Sequence, residues 1–184
     1  MTEQLDMWEG DFGNTYTQRN PVDWVRRVWP FVKIVGDLGL SSVLEVGCNR
    51  GHNLVALSRA TDKTCQIIGL EPNAFALDIA RAYRVKTVKG NVYGLPFRDG
   101  QFEMVMTAAV LTHIHASHLE QALREIYRVS SRYILAIEYY WHTEKEISYT
   151  GKGLWRRHYA QIYSGYFPDL ELVQSGSLGH KDGF

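Results

Sequence analysis

Short apolar runs alternate with stretches of helical spacing along most of this chain. The runs, rich in β-branched and other apolar residues, occupy 43–46, 65–71, 85–91, 102–110 and 133–140. Between them, apolar residues recur every three or four positions over 53–60, 74–83 and 116–130. Regular alternation of strands and helices predicts an α/β fold with a doubly wound, mostly parallel sheet, which binds ligands at the carboxyl ends of its strands.

The two ends of the chain carry further predicted elements. An amphipathic helix is expected over 21–35, interrupted or bent near Pro30. A helix over 153–166 and a sixth strand over 170–178 are expected towards the other end. With 184 residues, of which 45% are apolar, the chain suits a single domain. We expect residues 1–40 to form a helical lid and residues 41–184 to form the core.

Residues 42–51 read S-V-L-E-V-G-C-N-R-G, so a strand runs into a tight turn between Gly47 and Gly51. Backbone N–H groups of such a turn point at a bound ligand. A dinucleotide fingerprint starting at Gly47 would need glycine where Asn49 and His52 stand. The Glu45 carboxylate would also repel a pyrophosphate, so a cationic or zwitterionic ligand suits the turn better.

A second carboxylate, Glu71, ends the next predicted strand twenty-four residues after Gly47. A carboxylate at that position can accept hydrogen bonds from both ribose hydroxyls of an adenosine. Each feature alone is compatible with an ordinary turn or a solvated charge. Their order and spacing together favour a nucleoside-binding site.

The pattern Glu45-x-Gly47-x-x-x-Gly51 resembles the first motif of class I S-adenosylmethionine-dependent methyltransferases, with Asn49 replacing the middle glycine. Asparagine tolerates left-handed backbone well, so the turn can survive this replacement. The string G-N-V-Y-G-L-P-F at 90–97 resembles the motif that frames the adenine. The resemblance implies a Rossmann-like fold and S-adenosyl-L-methionine as cofactor.

The same resemblance extends to individual side chains. Asn91 would bond the adenine edge and Val92 would pack on its face. Separately, the N-terminal segment has the composition of a lid, in which Arg19 can pair with the methionine carboxylate. Trp8, Phe12 and Tyr16 would cover the ligand, or they would simply pack the N-terminal helix on the sheet. The expected cofactor-binding residues are Tyr16, Arg19, Glu45, Gly47, Cys48, Asn49, Gly51, Asn53, Glu71, Pro72, Asn91, Val92, Thr107 and His113.

Three longer strings resemble the pseudaminic acid biosynthesis-associated methylases: W-E-G-D-F-G-N-T-Y-T-Q-R-N at 8–20, L-T-H-I-H at 111–115 and R-E-I-Y-R-V-S-S-R-Y-I-L-A-I-E-Y-Y at 124–140. This resemblance implies a small polar acceptor, a sugar or a sugar nucleotide. It weakens at R-R-H-Y-A, where His158 replaces an acidic residue. Class I methyltransferases usually end with a seventh, antiparallel strand, and without it we expect an open sheet edge that allows a homodimer.

Methyl transfer to an amine or hydroxyl needs a group that removes a proton. The candidates follow the fourth and fifth predicted strands or lie beyond them: His113, His115, Glu138, Tyr139, Tyr140 and His158. We expect His115 to act as the base with Glu138 assisting it, because a neutral imidazole is available at pH 7. His113 is expected to orient the loop against the cofactor.

Charge and cysteine content narrow the alternatives. Lys+Arg and Asp+Glu are equal at 20 each, which argues against a general nucleic-acid surface. Two cysteines without zinc-like spacing predict neither a disulfide framework nor a metal site. With no membrane-length apolar run and an acidic N-terminus, we expect a cytoplasmic protein. A nucleic-acid methyltransferase and a non-catalytic S-adenosylmethionine-binding regulatory protein remain the alternatives.

Overall fold

The computed structural model describes residues 3–142, the backbone of 147–148, and residues 154–184. Its centre is a five-stranded sheet in the order β3-β2-β1-β4-β5, with every neighbouring pair parallel. The strands are β1 Ser42–Val46, β2 Gln66–Glu71, β3 Lys86–Lys89, β4 Phe102–Ala108 and β5 Ser130–Ile137. The predicted doubly wound α/β fold is therefore confirmed.

The helices are α1 Glu3–Glu9, α2 Asp11–Arg19, α3 Trp24–Val35, α4 His52–Ala60, α5 Ala74–Ala82, α6 Ala116–Val129 and α7 Tyr159–Tyr166. Two 3₁₀ turns occupy Leu111–His113 and His180–Asp182, and a short antiparallel pair joins β6 Ile147–Ser148 to β7 Trp155–Arg156. Of the helices in the described ranges, none has both the length and the apolar character needed to span a bilayer.

Two apolar layers cover the sheet. On one face, Val43 and Met104 pack with Phe31 of α3 and Leu57 of α4. On the other, residues of β1 and β4 pack with α6 and α7, and the buried side chains there include Leu44, Val105, Leu123 and Tyr163. Because side chains alternate along a strand, Glu45 lies on the same side of β1 as Val43, facing α3 and α4.

The predicted elements beyond β5 are partly wrong. Residues 170–178 form no strand and most of them are exposed, because no described strand lies beside them to accept their hydrogen bonds. The helix expected over 153–166 is only α7, which begins at Tyr159; residues 151–153 lie outside the described part. Among the described residues, no strand pairs with the outer edge of β5. Near the N-terminus, α3 continues through Pro30 without interruption.

Candidate active site

The turn after β1 has the backbone that its glycines predict. Gly47 and Gly51 have φ angles of 74° and 75°, and Asn49 adopts a left-handed φ of 45° in place of a third glycine. A Cβ on Gly47 would stand 2.5 Å from Cγ2 of Val110, so no side chain fits there. The glycine therefore lets the loop after β1 lie directly against the loop after β4.

Glu71 lies at the end of β2 with only 6% of its surface exposed. One carboxylate oxygen accepts the Asn73 N–H at 3.0 Å and the other accepts the Asn49 N–H at 2.8 Å. Burial raises the pKa of Glu71 to about 7, and these two hydrogen bonds oppose the shift. Each oxygen keeps a lone pair for a further donor, as a ribose would require.

Glu45 is buried one layer behind that edge, on the α3 and α4 side of β1. Its Oε1 accepts Nδ2 of Asn53 at 2.6 Å, and Asn53 in turn accepts Nη1 of Arg27 at 2.6 Å. Its Oε2 has no hydrogen-bond partner among the described residues. Burial raises the pKa of Glu45 to about 8, against the lowering effects of Asn53 and Arg27.

A pocket of about 150 Å³ opens where β1, β2 and β4 end. Many of the predicted cofactor residues line it: Tyr16, Gly47, Asn49, Glu71, Pro72, Asn91, Val92 and His113. Sequence reasoning missed Gln4, Leu5 and Ile114, which also line it. Gln4 and Leu5 precede every recognised motif, although the expectation of an N-terminal lid covers their helix.

The other predicted cofactor residues do not line this pocket. Glu45 and Asn53 bond to each other behind it, and Gly51 stands at the start of α4. Cys48 faces Gly69 on β2, and burial raises the pKa of its thiol. Thr107 is buried in β4, while the guanidinium of exposed Arg19 lies 5.8 Å from the Tyr16 ring centre.

Helices α1 and α2 cover the pocket. The Trp8 ring meets the Tyr16 ring at 5.0 Å and the His113 ring at 4.9 Å, each edge to face. Nδ2 of Asn73 donates to the Trp8 carbonyl at 3.0 Å, and Nδ2 of Asn49 donates to the Thr17 hydroxyl at 3.1 Å. The lid is therefore bonded to both loops that form the floor of the pocket.

The structure separates the two histidines after β4. His113 lines the pocket beneath Trp8. His115 does not; it caps the N-terminus of α6, where its Nδ1 accepts the Ser117 N–H at 3.2 Å, and its ring lies against Trp155. His113 ends the 3₁₀ turn and His115 caps α6, so the two side chains lie in different surroundings although they are two residues apart.

In the structure, the Glu138 carboxylate bonds to the loop after β4 and not to the His115 ring. The Glu138 Oε1 accepts the N–H groups of Val110 and Leu111, and its Oε2 accepts that of Thr112, each at 3.1 Å. Burial raises its pKa, and these hydrogen bonds oppose the shift. The Glu138 carboxylate therefore fixes the backbone of the loop after β4. The sequence shows only that Glu138 follows a strand, and this position does not indicate such a role.

The remaining predicted candidates lie away from the pocket lining. Tyr139 and Tyr140 are 46% and 58% exposed. His158 caps α7, where its Nδ1 accepts the Gln161 N–H at 3.2 Å. In the part of the chain that the structure describes, no group of three or more His, Cys, Asp or Glu side chains is arranged to hold a metal ion.

The known proteins that this chain is similar to include several methyltransferases. Residues 43–132 match the family described as "Methyltransferase domain". The chain is similar to sterol 24-C-methyltransferase erg6 of Schizosaccharomyces pombe, 33% identical over 97 residues, which are 48% of this chain and 25% of that protein. It is similar to demethylmenaquinone methyltransferase of Lactiplantibacillus plantarum, 34% identical over 95 residues, 47% of this chain and 39% of that protein. The chain thus spans less than half the length of these relatives.

Among solved structures, the fold is similar to a SAM-dependent methyltransferase from Thermotoga maritima. The TM-score is 0.54 at 24% identity, over 73% of this chain and 61% of that one. At this identity the likeness shows the fold alone, a Rossmann-like α/β fold with a five-stranded parallel sheet.

Proposed function

We propose that this chain, whose residues 43–132 match the methyltransferase-domain family, is a class I S-adenosylmethionine-dependent enzyme that transfers a methyl group to a small polar acceptor. The observation that carries the proposal is one pocket at the carboxyl ends of β1, β2 and β4. There Gly47, the Glu71 carboxylate and His113 face the same space. The cofactor of this domain class is S-adenosylmethionine.

The residues present fit that cofactor. Glu71 would hold the ribose hydroxyls, Asn91 and Val92 would frame the adenine, and Gly47 lines the same pocket. Behind the pocket, Oε2 of Glu45 has no hydrogen-bond partner among the described residues, and it lies on the side where Asn53 and Arg27 lie. These contacts suit a zwitterionic nucleoside better than a pyrophosphate.

When bound, S-adenosylmethionine supplies an activated methyl group: the acceptor lone pair forms the new bond to carbon, the carbon–sulfur bond breaks with its electrons going to sulfur, and the acceptor loses a proton. The chain's own contribution is to hold both reactants in line, excluding water with Trp8 and Tyr16. We assign proton acceptance to His113 rather than to His115, because only His113 lines the pocket.

We further propose that the acceptor is a sugar or a sugar nucleotide. Support comes from the strings at 8–20 and 111–115, which supply Trp8, Tyr16 and His113 to the pocket. The lid over the pocket favours a small molecule over a polynucleotide, as does the absence of net charge.

Two free cysteines suit a reducing compartment such as the cytoplasm.

The test is transfer itself. The protein is incubated with S-adenosylmethionine and separate panels of sugars, nucleotide sugars and oligonucleotides, and mass spectrometry detects methylated product. We expect product only from the sugar panels, and less product with Glu71→Ala at cofactor concentrations near the dissociation constant of the wild type. Methylated oligonucleotide would support a nucleic-acid enzyme. Cofactor binding without transfer to any panel would support a regulatory protein.

A separate proposal concerns association with a second copy of the chain through the outer edge of β5. Unpaired strand edges associate with other chains, so we propose that the protein forms a homodimer through this edge. Light scattering across a concentration series should show the dimer, whereas a monomer at every concentration would contradict it.

A further inference from the structure

The short turn that carries His113 is strained and depends on outside support. The chain leaves β4 through Ala109, a residue with a side chain held at a left-handed φ of 54°. The 3₁₀ turn that follows, Leu111–His113, has only three residues. Strained backbone of this kind persists only where the surrounding structure fixes it.

One half-buried acidic side chain and one buried basic side chain hold the two sides of this turn. On the amide side, the Glu138 carboxylate accepts three consecutive N–H groups, as described above. On the carbonyl side, Nη1 of Arg157 donates to the Leu111 carbonyl at 2.9 Å and Nη2 donates to the Ile114 carbonyl at 2.7 Å. Arg157 is only 2% exposed. Its two contacts flank His113 in the sequence.

Arg157 is itself fixed by backbone bonds to the segment after β5. Its N–H donates to the Tyr139 carbonyl and its carbonyl accepts the Trp141 N–H, each at 3.2 Å. The Thr112 hydroxyl adds a bond from the turn to the Trp155 carbonyl at 2.5 Å. The turn and the segment 155–157 therefore form one hydrogen-bonded unit.

We propose that Arg157 is a positioning residue that holds the His113 imidazole in the pocket through the Leu111 and Ile114 carbonyls. The proposal rests on the function proposed above. A planar guanidinium spans two carbonyls at fixed geometry, which a lysine ammonium cannot do, so the arginine itself matters and not merely its charge. Arg157 is not among the residues that line the pocket, and the N–H groups that Glu71 accepts come from Asn49 and Asn73, so we expect cofactor binding to change little without Arg157.

Kinetics provide the first test. Arg157→Met should lower kcat about tenfold or more, while the dissociation constant of S-adenosylhomocysteine changes less than about threefold. Arg157→Lys should fall between Met and the wild type. The matched control is Arg156→Met, since that guanidinium lies over the Trp141 ring instead of the turn, and it should keep the wild-type kcat. A kcat for folded Arg157→Met equal to that of Arg156→Met would overturn the proposal.

A double-mutant cycle separates positioning from general stability. If Arg157 acts through His113, adding Arg157→Met to His113→Ala should reduce kcat no further. An additional tenfold loss in the double variant would show that Arg157 acts by another route. Should the Met variant fail to fold, Arg157→Lys serves in the same cycle.

A second readout does not depend on turnover and so distinguishes this proposal from the proposed function. The Trp8 ring lies 4.9 Å from the His113 ring, so its ring current shifts the His113 Hε1 resonance. Arg157→Lys should move that NMR resonance, whereas His52, which pairs with Tyr83 far from the turn in sequence, should keep its own. An unmoved His113 resonance would refute the positioning role even if no acceptor were found. A moved resonance in a protein that transfers no methyl group would leave positioning intact and refute the activity.

Discussion

The two halves of the pocket are built by different means. In the half formed by the loops after β1 and β2, the glycines fix the backbone, and Glu71 accepts N–H groups from Asn49 and from its neighbour Asn73. In the half formed after β4, Glu138 and Arg157 reach the turn from 26 to 46 residues away in sequence. Cofactor binding and acceptor chemistry should therefore respond to different substitutions.

Substitutions of His113 and His115 should give the largest difference in turnover. His113→Ala should lower turnover about a hundredfold or more, because it removes the imidazole that lines the pocket. His115→Ala should keep turnover and lower the free energy of unfolding by about 1 kcal/mol, since it removes a helix cap. Steady-state kinetics and thermal melts on both variants check this. If His115→Ala lost turnover while His113→Ala kept it, proton acceptance would belong to His115.

Glu71→Ala tests the half of the pocket formed by the loops after β1 and β2. It should weaken binding of S-adenosylhomocysteine by about 1 to 3 kcal/mol, because ribose hydroxyls would lose a charged acceptor. Calorimetry measures the change, with Glu120→Ala on the exposed face of α6 as the matched carboxylate control. Equal affinities for the two variants would remove Glu71 from the site.

The last prediction concerns Glu45, which lies behind the pocket, and its response to pH. Burial raises its pKa from an ordinary 4.5 to about 8, so the folded protein holds this proton more tightly than the unfolded chain does. The resulting stabilisation is complete below about pH 4.5 and is lost as pH rises towards 8. Glu45→Gln cannot ionise, so its Tm relative to the wild type should rise between pH 5 and about 8. If the difference in Tm between Glu45→Gln and the wild type did not change with pH, the raised pKa of Glu45 would be contradicted.

The sequence predicts the backbone of the turn after β1 and the position of Glu71, because these signals are local. Gly47, Asn49 and Gly51 encode a backbone path within five residues, and Glu71 ends an apolar strand. The parallel fold follows from the alternation of strands and helices for the same reason.

The second half depends on contacts that local patterns do not contain. Neither the role of Arg157 nor that of Glu138 is visible before the chain folds, because each bonds to a turn far away in sequence. The choice between His113 and His115 depends on where the 3₁₀ turn ends and α6 begins, which strand-end reasoning does not resolve. Residues 170–178 have strand-like composition, yet a strand also needs a neighbour, and none is beside them among the described residues.

The central claim is that the pocket under α1 and α2 binds S-adenosylmethionine. Titration calorimetry of the wild-type protein with S-adenosylmethionine, S-adenosylhomocysteine and NAD tests it most directly. The account predicts one site for each of the first two ligands, with NAD weaker than both. Tighter binding of NAD, or no heat from either sulfur nucleoside, would contradict it.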